Sequence, residues 1–229
     1  MTMGEGRLLS ILIPAYNEER TIAELLRRVR AVDLPKEIIV VDDGSTDRTP
    51  DLLASAAGVT VVRHQRNRGK GAAVATALAH ARGEICIVQD ADLEYDPSDI
   101  PALYARYLEG DVEAVFGSRI LMPGQRYSSI FFYWGGRLVS FVASALYGAW
   151  ITDEPTGYKL VSTELLRSLD IRAEGFDFCP VLTARILRRR GGIAEVPIRY
   201  DPRGWGDGKK ITARDGLIAI WVLIRERFR

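Results

Sequence analysis

Residues 84–97 read EICIVQDADLEYDP. Residues 85–88 are apolar without a break, and they run through Gln89 into three acids spaced two apart, Asp90, Asp92 and Glu94. An unbroken apolar run of this length fits a strand buried on both faces. Where the chain leaves such a strand, carboxylates two apart can both turn toward one hard divalent cation, which takes oxygen ligands and can bridge a diphosphate. Glu94 would complete that shell directly or through water.

The same kind of run recurs on either side. Residues 8–13 (LLSILI), 37–41 (EIIVV), 59–62 (VTVV) and 112–116 (VEAVF) are further strand candidates. Helical spacing separates them in Ile22, Leu25, Leu26 and Val29, in the Ala-rich run 71–81, and in Ile100, Leu103, Tyr107 and Leu108. This alternation predicts an α/β fold with a Rossmann-like, mostly parallel sheet flanked by helices. After Gly117 the rhythm changes. An apolar segment at 130–147 carries Arg137, a polar turn follows at 153–157, and a mixed stretch runs to Gly175. A helix over 178–190, a strand at 193–196, a Gly-rich basic loop at 201–210 and a final helix over 212–228 complete the chain. The expectation is one domain over residues 1–229, with a nucleotide-binding half at about 8–117 and an acceptor half at about 118–229.

Composition narrows the functional classes. The 229 residues hold 31 Lys plus Arg against 30 Asp plus Glu, with 47% hydrophobic and 27% charged residues. That balance excludes a disordered chain and makes no case for a nucleic-acid binder. Residues 185–229, however, hold 12 basic and 5 acidic side chains, so the C-terminal fifth is the part expected to face anions. Two cysteines, Cys86 and Cys179, do not make a disulfide framework, and two histidines exclude a three-histidine zinc site.

In open α/β sheets the ligand lies beyond the carboxyl ends of the strands. The first strand is followed by Pro14, Ala15, Tyr16, Asn17 and Glu18, the second by Asp42, Asp43, Gly44 and Ser45, and the fourth by the DADLE segment. Three strand ends therefore bring acids to one crevice. Two phosphate motifs fail. Residues 68–71 look like part of a Walker A loop, but His64 stands where the first Gly is needed and Gly71 where Ser or Thr should be, and no GxGxxG follows the first strand. The 67–71 loop with Lys70 is instead placed near the donor. Cations come later, at Arg119, Arg137, Arg203, Lys209 and Lys210. Arg119 and Arg137 across a cleft would clamp a phosphate bidentately, and Ser140, one turn beyond Arg137, would face the same way.

The chain resembles the inverting family 2 glycosyltransferases of the GT-A fold, in particular the dolichyl-phosphate mannose synthase and polyprenyl-phosphate glucosyltransferase branch. The matching stretches are ILIPAYNEERTI (11–22), IIVVDDGSTDRT (38–49), NRGKGAAVATALAHARGEICIVQDADLEYDP (67–97), VFGSR (115–119), DEPTGYK (153–159), GFDF (175–178) and GKKITARDG (208–216). The resemblance implies transfer of a hexose from GDP-mannose or UDP-glucose to a polyprenyl phosphate, with Mg²⁺ or Mn²⁺. It makes Pro14, Tyr16, Glu18 and Asp43 the nucleoside-binding set, and Asp90, Asp92 and Glu94 the metal and diphosphate site. Arg119, Arg137 and Ser140 become the residues that receive the acceptor phosphate, and Arg203 and Lys209 lie in a flap over the donor. The chain departs from the pattern at Glu94, where relatives often carry Gln, and at Asp177 and Val181, where many carry Glu.

Two alternatives stand beside this reading. Transfer to a hydroxyl of a glycan or small molecule would need a carboxylate base, for which Asp153 and Asp177 are the nominees. A nucleotide-sugar-binding protein without turnover would require loss of the metal or cationic residues, and both sets are present.

No membrane-spanning helix is expected, because the longest uncharged stretch, 138–152, falls short of the roughly 20 apolar residues needed. The N-terminus has no signal-peptide pattern, so secretion is not expected. Contact with an anionic membrane surface from the cytoplasmic side is expected through the final helix, where Leu217, Ile220, Trp221 and Ile224 are flanked by Arg214, Arg225, Arg227 and Arg229. Homo-oligomerisation is left open.

Overall fold

Strand β1 (Leu9–Ala15) lies between β2 (Lys36–Asp42) and β4 (Ile85–Val88) and is parallel to both, with Leu12 opposite Ile39 and Val88. The computed structural model describes residues 6–125, 127, 129–171, 175, 177–203 and 213–229. Within them the sheet has seven strands in the order β3-β2-β1-β4-β6-β5-β7. β3 (Thr60–Arg63) extends one side in parallel. On the other side β6 (Lys159–Ser162) runs antiparallel between β4 and β5 (Ala114–Ser118), and β7 (Ile193–Pro197) pairs parallel with β5. The fold is thus the expected α/β type, a mostly parallel sheet flanked by helices.

Alternation along each strand sends successive side chains to opposite faces, so each central strand feeds two cores. Ile11, Ile13, Ile38 and Val40 pack against α1 (Ile22–Ala31) and α4 (Ile100–Leu108). Leu12, Ile39 and Val41 pack against α3 (Lys70–His80), α6 (Thr163–Ser168) and α7 (Phe178–Arg188). The short α2 (Thr49–Ala54) has Pro50 in its first turn. A third cluster joins Val139 and Ala143 of α5 (Ile130–Tyr147), Ala184 of α7 and Leu223 of α8 (Ala213–Phe228).

The mixed stretch before Gly175 contains β6 and α6, which the sequence pattern does not reveal. β6 opens on Lys159, a residue type expected in solvent, yet its side chain is buried. Lys159 Nζ is held by Glu154 Oε1 at 3.1 Å, Thr183 Oγ1 at 2.7 Å and the Cys179 carbonyl at 3.1 Å, and it lies 4.5 Å from the centre of the Phe116 ring. With those partners an ammonium group can occupy a strand that would otherwise exclude it.

α5 is the one described helix that comes near the length and apolarity of a membrane span. Counting uncharged residues stops at Arg137, but the helix runs through it for 18 residues, from the Ser129 cap to Gly148 in the left-handed region at φ 67°. By length and composition alone α5 is apolar enough to cross a membrane, and only 17% of it is buried in the fold. Phe131 is 85% exposed, and Trp134 and Phe141 are exposed as well.

Candidate active site

The carboxyl ends of β1, β2 and β4 and the turns after β5 and before β6 open into one cavity of about 1020 Å³. Its wall includes Pro14, Tyr16, Glu18, Asp43, Lys70, Asp90, Asp92, Glu94, Arg119, Arg137 and Arg203. These residues span positions 14 to 203, and the parallel sheet brings them together by delivering each strand end to the same side. Lys209 and Lys210 lie outside the described residues. At its other end the cavity is lined by Phe131, Phe132, Tyr133 and Leu138 of α5 and by Leu217 and Ile220 of α8.

The acidic end is shaped by two residues with left-handed backbone. Asn17 at φ 55° turns the chain after β1, and Leu93 at φ 63° turns it between Asp92 and Glu94. A leucine there costs roughly 1–2 kcal/mol. Asp90 Oδ1 receives Lys70 Nζ at 2.5 Å. Asp90 Oδ2 lies so close to Gly157 that a Cβ at that position would be 2.6 Å from it. Asp92 Oδ1 accepts the Glu94 N–H at 3.0 Å. Burial, together with the neighbouring Asp90 and Glu94 carboxylates, pushes the Asp92 carboxyl up to about 7.

Glu94 takes hydrogen bonds from two later residues. Its Oε1 accepts the Arg203 N–H at 2.9 Å and its Oε2 accepts the Tyr200 hydroxyl at 3.1 Å. Arg203 continues across the cavity, donating from Nε to the Asp92 carbonyl at 2.7 Å and from Nη2 to Glu18 Oε2 at 2.9 Å. Glu94 therefore anchors the segment that leads into the basic loop, each of its oxygens taking one hydrogen bond, while its charge still bears on Asp92. Among the described residues no three acidic, histidine or cysteine side chains gather into a metal cluster. Asp90 and Asp92 nevertheless suit a divalent cation, because like charges are crowded there and the space beside Asp90 is kept open by Gly157.

Asp43 serves the loop that follows β3. Its Oδ1 takes His64 Nδ1 at 2.7 Å and the Arg68 N–H at 2.9 Å, and its Oδ2 takes the Gly69 N–H at 2.8 Å. Gly44, at φ +75°, passes so close to Arg66 that a Cβ would lie 2.6 Å from its carbonyl carbon. Asp43 still lines the cavity, with lone-pair capacity left on Oδ2.

The three residues expected to receive a phosphate converge on the turn at 152–154. Arg119 donates from Nε to Asp153 Oδ2 and from Nη2 to Asp153 Oδ1, both at 2.7 Å, and its backbone N–H reaches the same Oδ2 at 2.9 Å. Arg137 Nη1 donates to the Thr152 carbonyl at 3.1 Å and has no carboxylate partner among the described residues. Ser140 requires a correction. It is buried, its hydroxyl donates to the Gly136 carbonyl and accepts the Glu154 N–H, both at 2.9 Å, and it does not line the cavity. Its hydrogen bonding pins α5 to the turn, which leaves Arg137 and the outer edge of Arg119 as the accessible donors.

Sequence reasoning missed Glu195 and Tyr200. Glu195 Oε2 accepts the Thr152 N–H at 2.8 Å and Oε1 accepts the Asp153 N–H at 3.0 Å, so one carboxylate sets the turn that carries Asp153. Burial pushes the Glu195 carboxyl up. The available signal was an acid inside the otherwise apolar strand IAEVP. Tyr200 lies under the Arg119 guanidinium at 5.0 Å and beside Tyr95, with ring centres 5.6 Å apart. Of the two nominated bases, Asp153 has both oxygens engaged by Arg119, and Asp177 accepts the Gly175 N–H at 3.0 Å outside the cavity wall.

Residues 10–169 match the model of the family described as glycosyl transferase family 2. The chain is 32% identical over 216 residues to the undecaprenyl-phosphate 4-deoxy-4-formamido-L-arabinose transferase of Pseudomonas aeruginosa, covering 90% of this chain and 61% of that protein. It is 29% identical over 201 residues to a low-salt glycan biosynthesis hexosyltransferase of Haloferax volcanii, covering 85% of this chain and 48% of the relative. It thus spans about three fifths of the first relative and about half of the second. Among solved structures, the glucosyl-3-phosphoglycerate synthase of Mycobacterium tuberculosis in complex with UDP superposes with a TM-score of 0.75 at 25% identity, covering 97% of this chain and 81% of that one. The same enzyme with Mn²⁺, UDP and glucosyl-3-phosphoglycerate gives 0.73 at 26% identity, covering 96% and 80%.

Proposed function

The chain belongs to glycosyl transferase family 2, and on that premise we propose that it moves a hexose from a nucleotide diphosphate donor to a polyprenyl phosphate, with inversion at the anomeric carbon. The observation that carries this reading is the continuity of one cavity from the acidic strand ends, past Arg119 and Arg137, to an apolar mouth between α5 and α8. Asp90 and Asp92 would hold Mg²⁺ or Mn²⁺, which when bound supplies positive charge to the departing diphosphate. Pro14, Tyr16 and Asp43 line the nucleoside side. Lys70 and Arg203 stand beside the two carboxylates and meet the diphosphate oxygens, and Glu18 orients Arg203.

At the acceptor side the attacking group needs no protein base. A phosphate monoester has its second pKa near 6, so an oxygen is already charged at neutral pH. Arg137 and the remaining donors of Arg119 orient that oxygen, and holding both reactants in one enclosure replaces a bimolecular encounter. Asp153, engaged by Arg119, is poorly placed to take a proton from a hydroxyl acceptor, which disfavours the glycan alternative.

A lipid acceptor requires a bilayer nearby. Trp221 is 58% exposed, and Leu217, Ile224 and Phe228 are exposed on the same helix, so α8 and the open face of α5 together form the surface for an anionic cytoplasmic membrane face. A UDP-linked sugar is the first donor to test, since the neighbouring enzyme was solved with UDP, and GDP-mannose is the second. The test is a panel of radiolabelled nucleotide sugars with a short polyprenyl phosphate, read by organic-phase extraction. The expected result is divalent-metal-dependent label in the organic phase with one donor. Label that stays aqueous with every donor would overturn the reading.

A further inference from the structure

A second cavity, of about 390 Å³, opens beside the carboxyl-terminal ends of α6, α7 and α8 and shares no lining residue with the first. Its wall is Ser168, Leu169, Arg185, Arg188, Arg189, Glu226 and Arg229, which sets four guanidinium groups against one carboxylate. That carboxylate is already engaged. Glu226 is 1% exposed, and it receives Arg185 Nε at 3.0 Å, Arg225 Nη2 at 3.0 Å and Arg229 Nη1 at 3.6 Å.

One buried acid therefore gathers three guanidinium groups and leaves a surplus of positive charge facing outward. Arg185 is fixed further by the carbonyls of Leu169 and Asp170 at the end of α6. Among the described residues the Arg189 side chain reaches Ser168 Oγ, at 3.3 Å, and the Arg188 side chain has no hydrogen bond or ion pair. Solvated arginines with no ligand to bind would gain by spreading apart. Here Glu226 holds Arg185 and Arg229 at the pocket wall, and the end of α7 adds Arg188 and Arg189 to the same wall. Four guanidinium groups, each able to donate in a fork to phosphate oxygens, thus line one pocket.

We propose that this pocket is a phosphate-binding site separate from the reaction cavity. Its ligand is a phosphate group, carried either by an anionic phospholipid or by a free phosphoanion. The lipid source has support from the adjoining helix face. Arg225, which shares Glu226, lies 4.7 Å over the Trp221 ring, and Ile224 and Phe228 are exposed beside it. A headgroup in the pocket would place its acyl chains along that apolar stripe.

The inference does not depend on the glycosyl-transfer reading, and its test needs no turnover. The variant is the double substitution Arg188→Ala with Arg189→Ala, which leaves Arg185 and Glu226 in place. In one arm inorganic phosphate is titrated calorimetrically into the wild type and the variant, with Arg137→Ala as a control that alters only the reaction cavity. In the other arm both proteins are sedimented with phosphatidylcholine vesicles with and without phosphatidylglycerol. The double variant is expected to bind phosphate about tenfold more weakly, the loss of about one charge-assisted contact, while Arg137→Ala retains this component. Loss of the phosphatidylglycerol-dependent fraction in the double variant identifies the lipid as the source, and loss in the phosphate arm alone identifies a free anion. Equal behaviour of wild type and double variant in both arms would overturn the proposal.

Discussion

Asp153 grips Arg119 with both carboxylate oxygens at 2.7 Å, and both residues lie on the wall of the one cavity that also holds Asp90 and Asp92. The pair fixes the guanidinium plane against the Tyr200 ring and leaves Nη1 and one Nη2 hydrogen directed elsewhere. In the proposed function Arg119 would thereby meet the acceptor phosphate as a preorganised donor. Arg137, which has no carboxylate partner among the described residues, brings the uncompensated charge.

Asp153→Ala leaves the Arg119 charge largely buried without its partner. Breaking a buried pair from one side costs about 3–5 kcal/mol, and the low exposure of both side chains, 17% and 4%, places this pair near that class. Urea unfolding is expected to show a loss of about 3 kcal/mol, with the folded variant still binding UDP. A loss below 1 kcal/mol would show that Arg119 does not depend on Asp153.

Glu195→Gln replaces a carboxylate that accepts two consecutive N–H groups with an amide that can accept only one of them. Leaving one buried N–H unmet costs about 1–3 kcal/mol. Because Glu195 acts through the turn at 152–154 and does not line the cavity, the expected kinetic effect is a raised KM for polyprenyl phosphate with donor affinity unchanged. A fall in kcat with both KM values intact would contradict the positioning role.

Gly157→Ala puts a methyl group 2.6 Å from Asp90 Oδ2, closer than real contacts allow, so the carboxylate has to move. Calorimetry of Mn²⁺ with UDP is expected to show binding weaker by about tenfold or more, with the circular dichroism of the fold unchanged, since moving one oxygen ligand degrades a geometry-sensitive site. Unchanged metal affinity would remove Asp90 from the site.

The Asp92 carboxyl, raised to about 7 by burial and by Asp90 and Glu94, gives a pH dependence with a definite sign. The folded state holds this proton up to about 7, whereas the unfolded state releases it near the ordinary aspartate value of 3.8. Metal-free stability should therefore fall as pH rises from about 4 to 7. A bound cation favours the ionised form, so Mn²⁺ should raise the melting temperature more at pH 8 than at pH 6. An equal rise at both values would show that Asp92 is not the titrating ligand.

What the sequence revealed follows from where its signals lie. β1, β2 and β4 are buried on both faces, so their apolar runs are continuous and the acids that end them stand out. β6 was hidden because it opens on Lys159, whose compensation by Glu154 and Thr183 depends on tertiary contacts. Arg119, Arg137 and Ser140 do converge, but onto the 152–154 turn through bonds spanning 14 to 34 residues, and no local spacing shows which hydroxyl or guanidinium is left over. The bonds from Tyr200 and Arg203 to Glu94 were hidden for the same reason, since these partners are more than 100 residues away.

The most direct test of the account compares wild type with Arg137→Ala in transfer of radiolabelled sugar to a short polyprenyl phosphate, with UDP or GDP affinity measured on the same preparations. The account predicts that Arg137→Ala lowers kcat/KM for the lipid phosphate by about a hundredfold, the effect of losing a charge-assisted contact to a reacting group, roughly 3 kcal/mol. Nucleotide affinity should stay at the wild-type value. Lipid saturation kinetics untouched and nucleotide binding lost would place Arg137 on the donor and contradict the division of the cavity into an acidic donor end and an arginine acceptor end.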